Sequence, residues 1–231
     1  MNYLANILTG LSLASGFISI WFSLQYHFTS AAWAIIFSVV FDGLDGPVAR
    51  INPVPSEFGK ELDSLVDVVS FGVAPAILGY FFISKNQYIL ASAALFSYLL
   101  FSVLRLAKYN ITPHEKLINY FYGLPTTIAG GIFAAFILIY RQYDYLPRGQ
   151  FYLAVIFILA FLMVSKVKYL NLKGLKQVLG SRISLLLIIF GIIGLFLDAS
   201  IIVFIYFNAY LILSPFLVNK LPINNKHRSV G

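Results

Sequence analysis

Apolar stretches long enough to cross a bilayer recur along almost the whole chain, and few folds are open to such a pattern. A membrane-crossing helix needs about 20 apolar residues in a row. Windows of that kind fall near 4–25, 30–50, 58–84, 88–107, 124–141 and 149–168. Two more, near 182–197 and 200–218, are shorter and meet at Asp198, so a tight helical hairpin fits them as well as two full spans. The expectation is an all-α integral membrane protein with six to eight transmembrane helices, one domain over 1–219 followed by a short polar tail, 220–231. Hydrophobic residues make up 60% of the chain, charged residues 11%, and the mean hydropathy is +0.85, which excludes a soluble domain with a buried core. There is no cysteine, hence no disulfide, thiolate ligand or cysteine nucleophile. The first window has no basic leader and no distinct cleavage site, so it reads as a retained helix and not as a signal peptide.

Acids are scarce in this chain, and their placement is informative. Six of the nine (Asp42, Asp45, Glu57, Glu61, Asp63 and Asp67) lie between positions 42 and 67. Unpaired carboxylates at membrane depth are costly, so a cation is their natural partner. Intervals of three and four residues put side chains on one helical face. Asp42, Asp45 and Ala49 therefore share a face of the second span, while Asp63 and Asp67 share one of the third, with Gly59 a turn before them. Two helices that each present two carboxylates can surround a pair of hard cations, which suits two Mg²⁺ or Mn²⁺ ions and does not suit zinc, since no His or Cys lies nearby. The result is a carboxylate-lined cavity in which Gly43, Gly46, Ala49 and Gly59 leave room for close helix packing or for a bulky substrate. Between the two halves, Pro53 and Pro55 enforce a turn, and Ser56 is placed to cap the third helix. Arg50 can lean on the dipole of the second helix or contact a phosphate or carboxylate in the site, and the contact is the favoured reading.

Orientation follows from the basic residues, which are enriched in short cytoplasmic loops. Across eight spans, thirteen Lys and Arg fall on one side and only Lys85, Arg141 and Arg148 on the other. This puts both termini and the aspartate cluster on the cytoplasmic face, in a prokaryotic plasma membrane as the simpler setting. The formal net charge of +7 then describes juxtamembrane loops attracted to anionic lipid headgroups, with no nucleic acid as partner. Intramembrane acids also occur in cation-coupled transporters, but a carrier would scatter polar groups over several spans or show repeated halves. Here they are concentrated in one hairpin and no internal repeat is visible. His27, His114 and His227 read as ordinary surface histidines, and Gly130, Gly131, Gly191 and Gly194 as helix contacts.

The run DGLDGPVAR, eight residues, then GKELDSLVD fits DxxDGxxAR…GxxxDxxxD and resembles the signature of the CDP-alcohol phosphatidyltransferases, with every specified position present. The resemblance implies transfer of a phosphatidyl group from a CDP-activated lipid to a small alcohol, with release of CMP. DVVSFGVAPA at 67–76, RLAKYN at 105–110 and FYGLP at 121–125 resemble the branch that makes phosphatidylserine, which implies CDP-diacylglycerol and L-serine as substrates. Glycerol 3-phosphate or an inositol compound as acceptor, and an archaeal ether-lipid donor, are the alternatives. The resemblance also implies that Asp42, Asp45, Asp63 and Asp67 are metal ligands and that Asp67 is the general base. It places Gly46, Ala49, Arg50, Ser56 and Gly59 against the CDP headgroup, with Asn6 and Thr9 lining the nucleotide site, and it implies a homodimer through the later spans. Two departures stand out: Ala5 replaces a proline common before the asparagine, and Pro47 replaces a basic residue common after DG. For the acceptor's carboxylate, Arg105 is the preferred partner on its fork geometry, with Ser70 and Asn110 as further candidates. A charged helix end at the membrane surface is the other reading of Arg105.

Overall fold

In the computed structural model, residues 3–49, 57–83, 88–112, 119–143 and 149–221 are described. Their helices are α1 (Tyr3–Leu24), α2 (Phe28–Ala49), α3 (Glu57–Asp67), α4 (Ala74–Phe82), α5 (Tyr88–Ile111), α6 (Thr126–Tyr143), α7 (Gln150–Val164) and α8 (Leu172–Leu217). A π-helical segment, Val68–Val73, joins α3 to α4, so Glu57–Phe82 runs as one span. Tyr3–Leu24, Phe28–Ala49, Glu57–Phe82, Tyr88–Ile111 and Asp198–Lys220 are long and apolar enough to cross a membrane, and Gln150–Val164 is a shorter apolar helix. The chain is thus an all-α, multi-pass membrane protein.

The packing of α1 reverses the pattern of a soluble amphipathic helix. Its buried face is Ala5, Thr9, Ser12, Ser15, Gly16, Ser19 and Ser23, while Leu4, Ile7, Phe17 and Trp21 are exposed. Lipid tails are as apolar as leucine, so helices associate through close contact of small residues and through hydrogen bonds. Ser12 Oγ lies 2.8 Å from Ser38 Oγ, and the Ser38 hydroxyl donates to the Ser12 carbonyl at 2.9 Å, tying α1 to α2. The Ser70 hydroxyl donates to the same carbonyl at 3.2 Å. This approach needs glycine at position 16, where a Cβ would sit 2.6 Å from Ser70 Oγ.

At the centre is α6, most of which is buried from Thr126 to Tyr140. Its small residues admit its neighbours: Gly130 faces Phe71 of the π segment, and Gly131 faces the Phe207 ring of α8. Both glycines are helix contacts, as expected from the sequence. Two short strands add to the helical plan, β1 (Tyr120–Tyr122) pairing antiparallel with β2 (Lys168–Leu170). Gly123, at φ 77°, follows β1 and packs against the Met163 carbonyl, a conformation and an approach that a Cβ would obstruct. The Lys168 ammonium lies 4.7 Å from the centre of the Tyr120 ring across this ladder.

Helix α8 carries non-helical backbone at Gly180 (φ 74°, ψ 161°) and at Asp198 (φ −152°, ψ 99°). Beyond Asp198 the chain doubles back, with Gly194 against the Ile202 side chain, so the two last apolar windows form a hairpin. Asp198 caps its second leg: Oδ1 accepts the N–H groups of Ser200 (3.0 Å) and Ile201 (3.2 Å). Its Oδ2 accepts from Gln142 Nε2 at 2.6 Å and from the Tyr143 hydroxyl at 3.2 Å, which fastens the hairpin to the end of α6. Gly191 lies where side-chain surroundings are not described.

Candidate active site

The last turns of α2 and the whole of α3 present the acids. Asp63 and Asp67, one helical turn apart on α3, meet Asp42 of α2 so that one carboxylate oxygen from each lies within 4.8 Å of the others. Asp45 lies beside them, within electrostatic reach of Asp63 and Asp42. It is buried toward α1, where its Oδ2 lies 2.9 Å from Thr9 Oγ1, whose proton is shared with the Ala5 carbonyl at 3.0 Å. Three of the four aspartates thus gather in one cluster, and the fourth is held at its edge by a hydroxyl. On the opposite side, the Thr127 hydroxyl donates to Asp42 Oδ2 at 3.2 Å. Its neighbour Thr126, fully buried, accepts from Arg105 Nη1 at 2.8 Å. Arg105 is 9% exposed, lies within electrostatic reach of Asp67 and Asp42, and has its guanidinium 5.8 Å from the Tyr109 ring centre.

Whether this cluster suits a metal can be read from its unmet demands. Asp67 Oδ1 is buried and accepts no hydrogen bond among the described residues. Three carboxylates face one guanidinium, and buried charge left uncompensated is strongly destabilising. Hard oxygen donors on two helices, with an oxygen still to be satisfied, fit a divalent cation of the Mg²⁺ or Mn²⁺ type. The residues that could hold it are Asp42, Asp63 and Asp67.

The other expected residues are distributed as follows. Asn6 is half-buried on α1, a turn before Thr9; Gly46, Ala49 and Gly59 are half-buried near the acids. A Cβ built at Gly43 or Gly46 would meet no described atom within 4 Å, so space is open beside those positions. Pro47 does not end α2, which runs on to Ala49. Arg50 and Ser56 lie outside the described residues, although α3 does begin at Glu57, directly after the expected cap. Ser70 is fully buried and its hydroxyl is committed to α1, not turned toward Arg105. Asn110 likewise points elsewhere: its amide donates to Ser64 Oγ at 2.8 Å, beside Lys60, whose ammonium lies 3.4 Å from the Asn110 carbonyl oxygen. Of the three candidate acceptor contacts, only Arg105 stands beside the carboxylates.

Arg105 also lines a cavity of about 280 Å³ between the ends of α5 and α7 and the strand β1. Its polar lining includes Lys108, Tyr109, Thr112, Tyr122 and Ser165. Sequence reasoning passed over Thr126 and Thr127, which stand directly after the FYGLP run; two adjacent hydroxyls opening an apolar helix were the available signal.

Fold and site together define a multi-pass membrane protein with an acidic cluster, shared by two helices, that could hold a metal ion. Residues 2–165 match the CDP-alcohol phosphatidyltransferase family, and the chain belongs to it. It is 35% identical over 173 residues to CDP-diacylglycerol--serine O-phosphatidyltransferase of Helicobacter pylori (strain ATCC 700392 / 26695), a match covering 74% of this chain and 73% of that protein. The protein of the same name from Bacillus subtilis (strain 168) is 34% identical over 175 residues, 75% of this chain and 93% of the relative. Archaetidylserine synthase of Methanothermobacter thermautotrophicus is 34% identical over 176 residues, covering 74% and 71%.

Proposed function

We propose that this protein transfers a phosphatidyl group from CDP-diacylglycerol to L-serine, giving phosphatidylserine and CMP, at the Asp42, Asp63 and Asp67 cluster. The observation that carries the chemistry is the convergence of three carboxylates from two helices around a buried oxygen with no donor. The choice of serine is supported by relatives in bacteria and in an archaeon whose names all carry serine.

Asp42, Asp63 and Asp67 would hold the divalent cations, with Asp45 completing the set as a fourth carboxylate. Bound Mg²⁺ or Mn²⁺, two ions in this reading, would neutralise the diphosphate and stabilise the leaving CMP. Thr9 and Thr127 fix the orientations of Asp45 and Asp42. The open space beside Gly43 and Gly46 receives the CDP headgroup, bordered by Asn6, Ala49, Gly59 and, outside the described residues, Arg50 and Ser56. Arg105 pairs with the carboxylate of serine, which enters from the cavity between α5 and α7. The serine oxygen bonds to the lipid-linked phosphorus, its proton passes to the Asp67 carboxylate, and the bond from phosphorus to CMP breaks with its electron pair on the departing oxygen. The site faces the cytoplasm, consistent with Lys60, Arg105, Lys108 and Lys168 at this end of the helices, and the protein works as a homodimer.

CMP release by the purified protein, given CDP-diacylglycerol and Mn²⁺ or Mg²⁺, tests the reading. Release should require both metal and L-serine and be abolished by chelation. Release driven by glycerol 3-phosphate or inositol phosphate instead would replace serine as acceptor.

A further inference from the structure

The link between the aspartate cluster and the rest of the protein runs through the π segment Val68–Val73, whose first residue directly follows Asp67. Its cause can be read two residues past its end. Pro75 has no N–H, and its ring crowds the carbonyl four residues back, that of Phe71. In α register, Phe71 would accept from residue 75; in π register, Ser70 would. Proline withholds the donor in both cases. The widened register is visible where the Ala74 N–H donates to the Val69 carbonyl, five residues back. Within a bilayer no water is at hand to take a displaced carbonyl, so a protein donor must.

Tyr98 of α5 supplies one. It is 2% exposed, and its hydroxyl donates to the Phe71 carbonyl at 2.9 Å. The segment is also fixed on other sides: Ser70 binds the Ser12 carbonyl of α1, Phe71 packs on Gly130 of α6, and Gly72 faces Ser102 of α5. Of these contacts, the Tyr98 bond alone reaches a backbone carbonyl of the segment. π-helical insertions recur at functional sites because they re-aim the residues at their ends. Here that residue is Asp67.

We propose that Tyr98 is a positioning residue for the transfer reaction: its hydroxyl, bound to the Phe71 carbonyl, holds the π segment that sets Asp67 against Asp42 and Asp63. This rests on the cluster being the site of metal-dependent transfer. The consequence is a dependence of metal binding on a hydroxyl that touches neither metal nor substrate.

The test compares Tyr98→Phe with Tyr152→Phe in the purified full chain, reading Mn²⁺ binding without substrates by the EPR signal of free Mn²⁺, then kcat and KM for serine. Tyr152 is an apt control because it is fully buried and its hydroxyl donates to the Phe136 carbonyl at 3.1 Å, where the residue four along, Tyr140, has its own N–H. Tyr98→Phe should weaken Mn²⁺ binding and lower kcat by about tenfold each while KM for serine stays within about twofold, the scale seen when an outer partner of a metal ligand is lost. Tyr152→Phe should leave Mn²⁺ binding and kcat unchanged. Unchanged Mn²⁺ binding in Tyr98→Phe or an equal loss in Tyr152→Phe would each overturn the proposal. So would failure of Tyr98→Phe to accumulate, which would make Tyr98 a folding residue only. A wild-type chain that binds Mn²⁺ but gives no CMP with serine would sink the transfer reaction and leave the Mn²⁺ comparison to decide on Tyr98.

Discussion

Two threonines from distant parts of the chain each hold one carboxylate of the site, Thr9 holding Asp45 and Thr127 holding Asp42. Neither adds charge, so their contribution is orientation, and orientation is where hydroxyl loss should be felt. Thr127→Val keeps the shape of the side chain and removes the donor; activity at limiting Mn²⁺ should fall about tenfold or more, the usual cost of an outer partner of a metal ligand. A titration of initial rate against Mn²⁺ concentration checks this, and a shift confined to the saturating rate would argue against it. Asp67 is a different matter. Asp67→Asn removes the proposed proton acceptor and a charge, and turnover should fall by at least about a hundredfold, the scale of a lost general base. Binding of CDP-diacylglycerol, measured directly, should survive in large part. Turnover close to wild type in that variant would remove Asp67 from the mechanism.

At the scale of elements, the helices meet through small residues, and substitutions there act by displacement. A side chain at Gly16 would collide with Ser70, and one at Gly131 with the Phe207 ring. Gly16→Val and Gly131→Val should each destabilise the protein by about 1–3 kcal/mol, the range for overpacking, read as earlier thermal unfolding in detergent. The two should differ in function. Gly16 abuts the segment that follows Asp67, so its variant should also lose activity at temperatures where it remains folded, whereas the Gly131 contact lies between α6 and α8. Gly43→Ala meets open space and should be tolerated by the fold. Any loss of activity it shows would measure room needed by the substrate.

For the molecule as a whole, the asymmetry of charge sets the orientation in the bilayer. Lys168, Lys173 and Lys176 cluster with β2 and the start of α8, at the end of the bundle where β1 and β2 pair, while Arg141 sits with Asp198, Gln142 and Tyr143 at the other. The absence of cysteine makes this directly testable, since any introduced thiol is the only one present. In intact cells a membrane-impermeant maleimide should label Arg141→Cys, and should label Lys176→Cys only after permeabilisation. The reverse pattern would place the aspartate cluster on the outer face and invert the topology.

The sequence by itself determined the helical class, the order of the apolar spans and the gathering of the acids on two of them. Apolar runs of bilayer length can satisfy their backbone only as helices, and intervals of three and four residues put Asp63 with Asp67 on one face whatever surrounds them. The break at Asp198 was legible too, as a charge between two short apolar runs. Tertiary structure alone decided how the acids are held: Thr9, 36 residues from Asp45, binds that carboxylate, and Thr127, 85 residues from Asp42, binds the other. It also placed the Ser70 hydroxyl on the Ser12 carbonyl of α1 and the Asn110 amide on the Ser64 hydroxyl, partners that no local pattern specifies. The physical reason is one of range. Periodicity and burial cost act within a span and are written in its residues, whereas the partner of a polar group in a membrane is whichever donor the packing of other spans brings within about 3 Å.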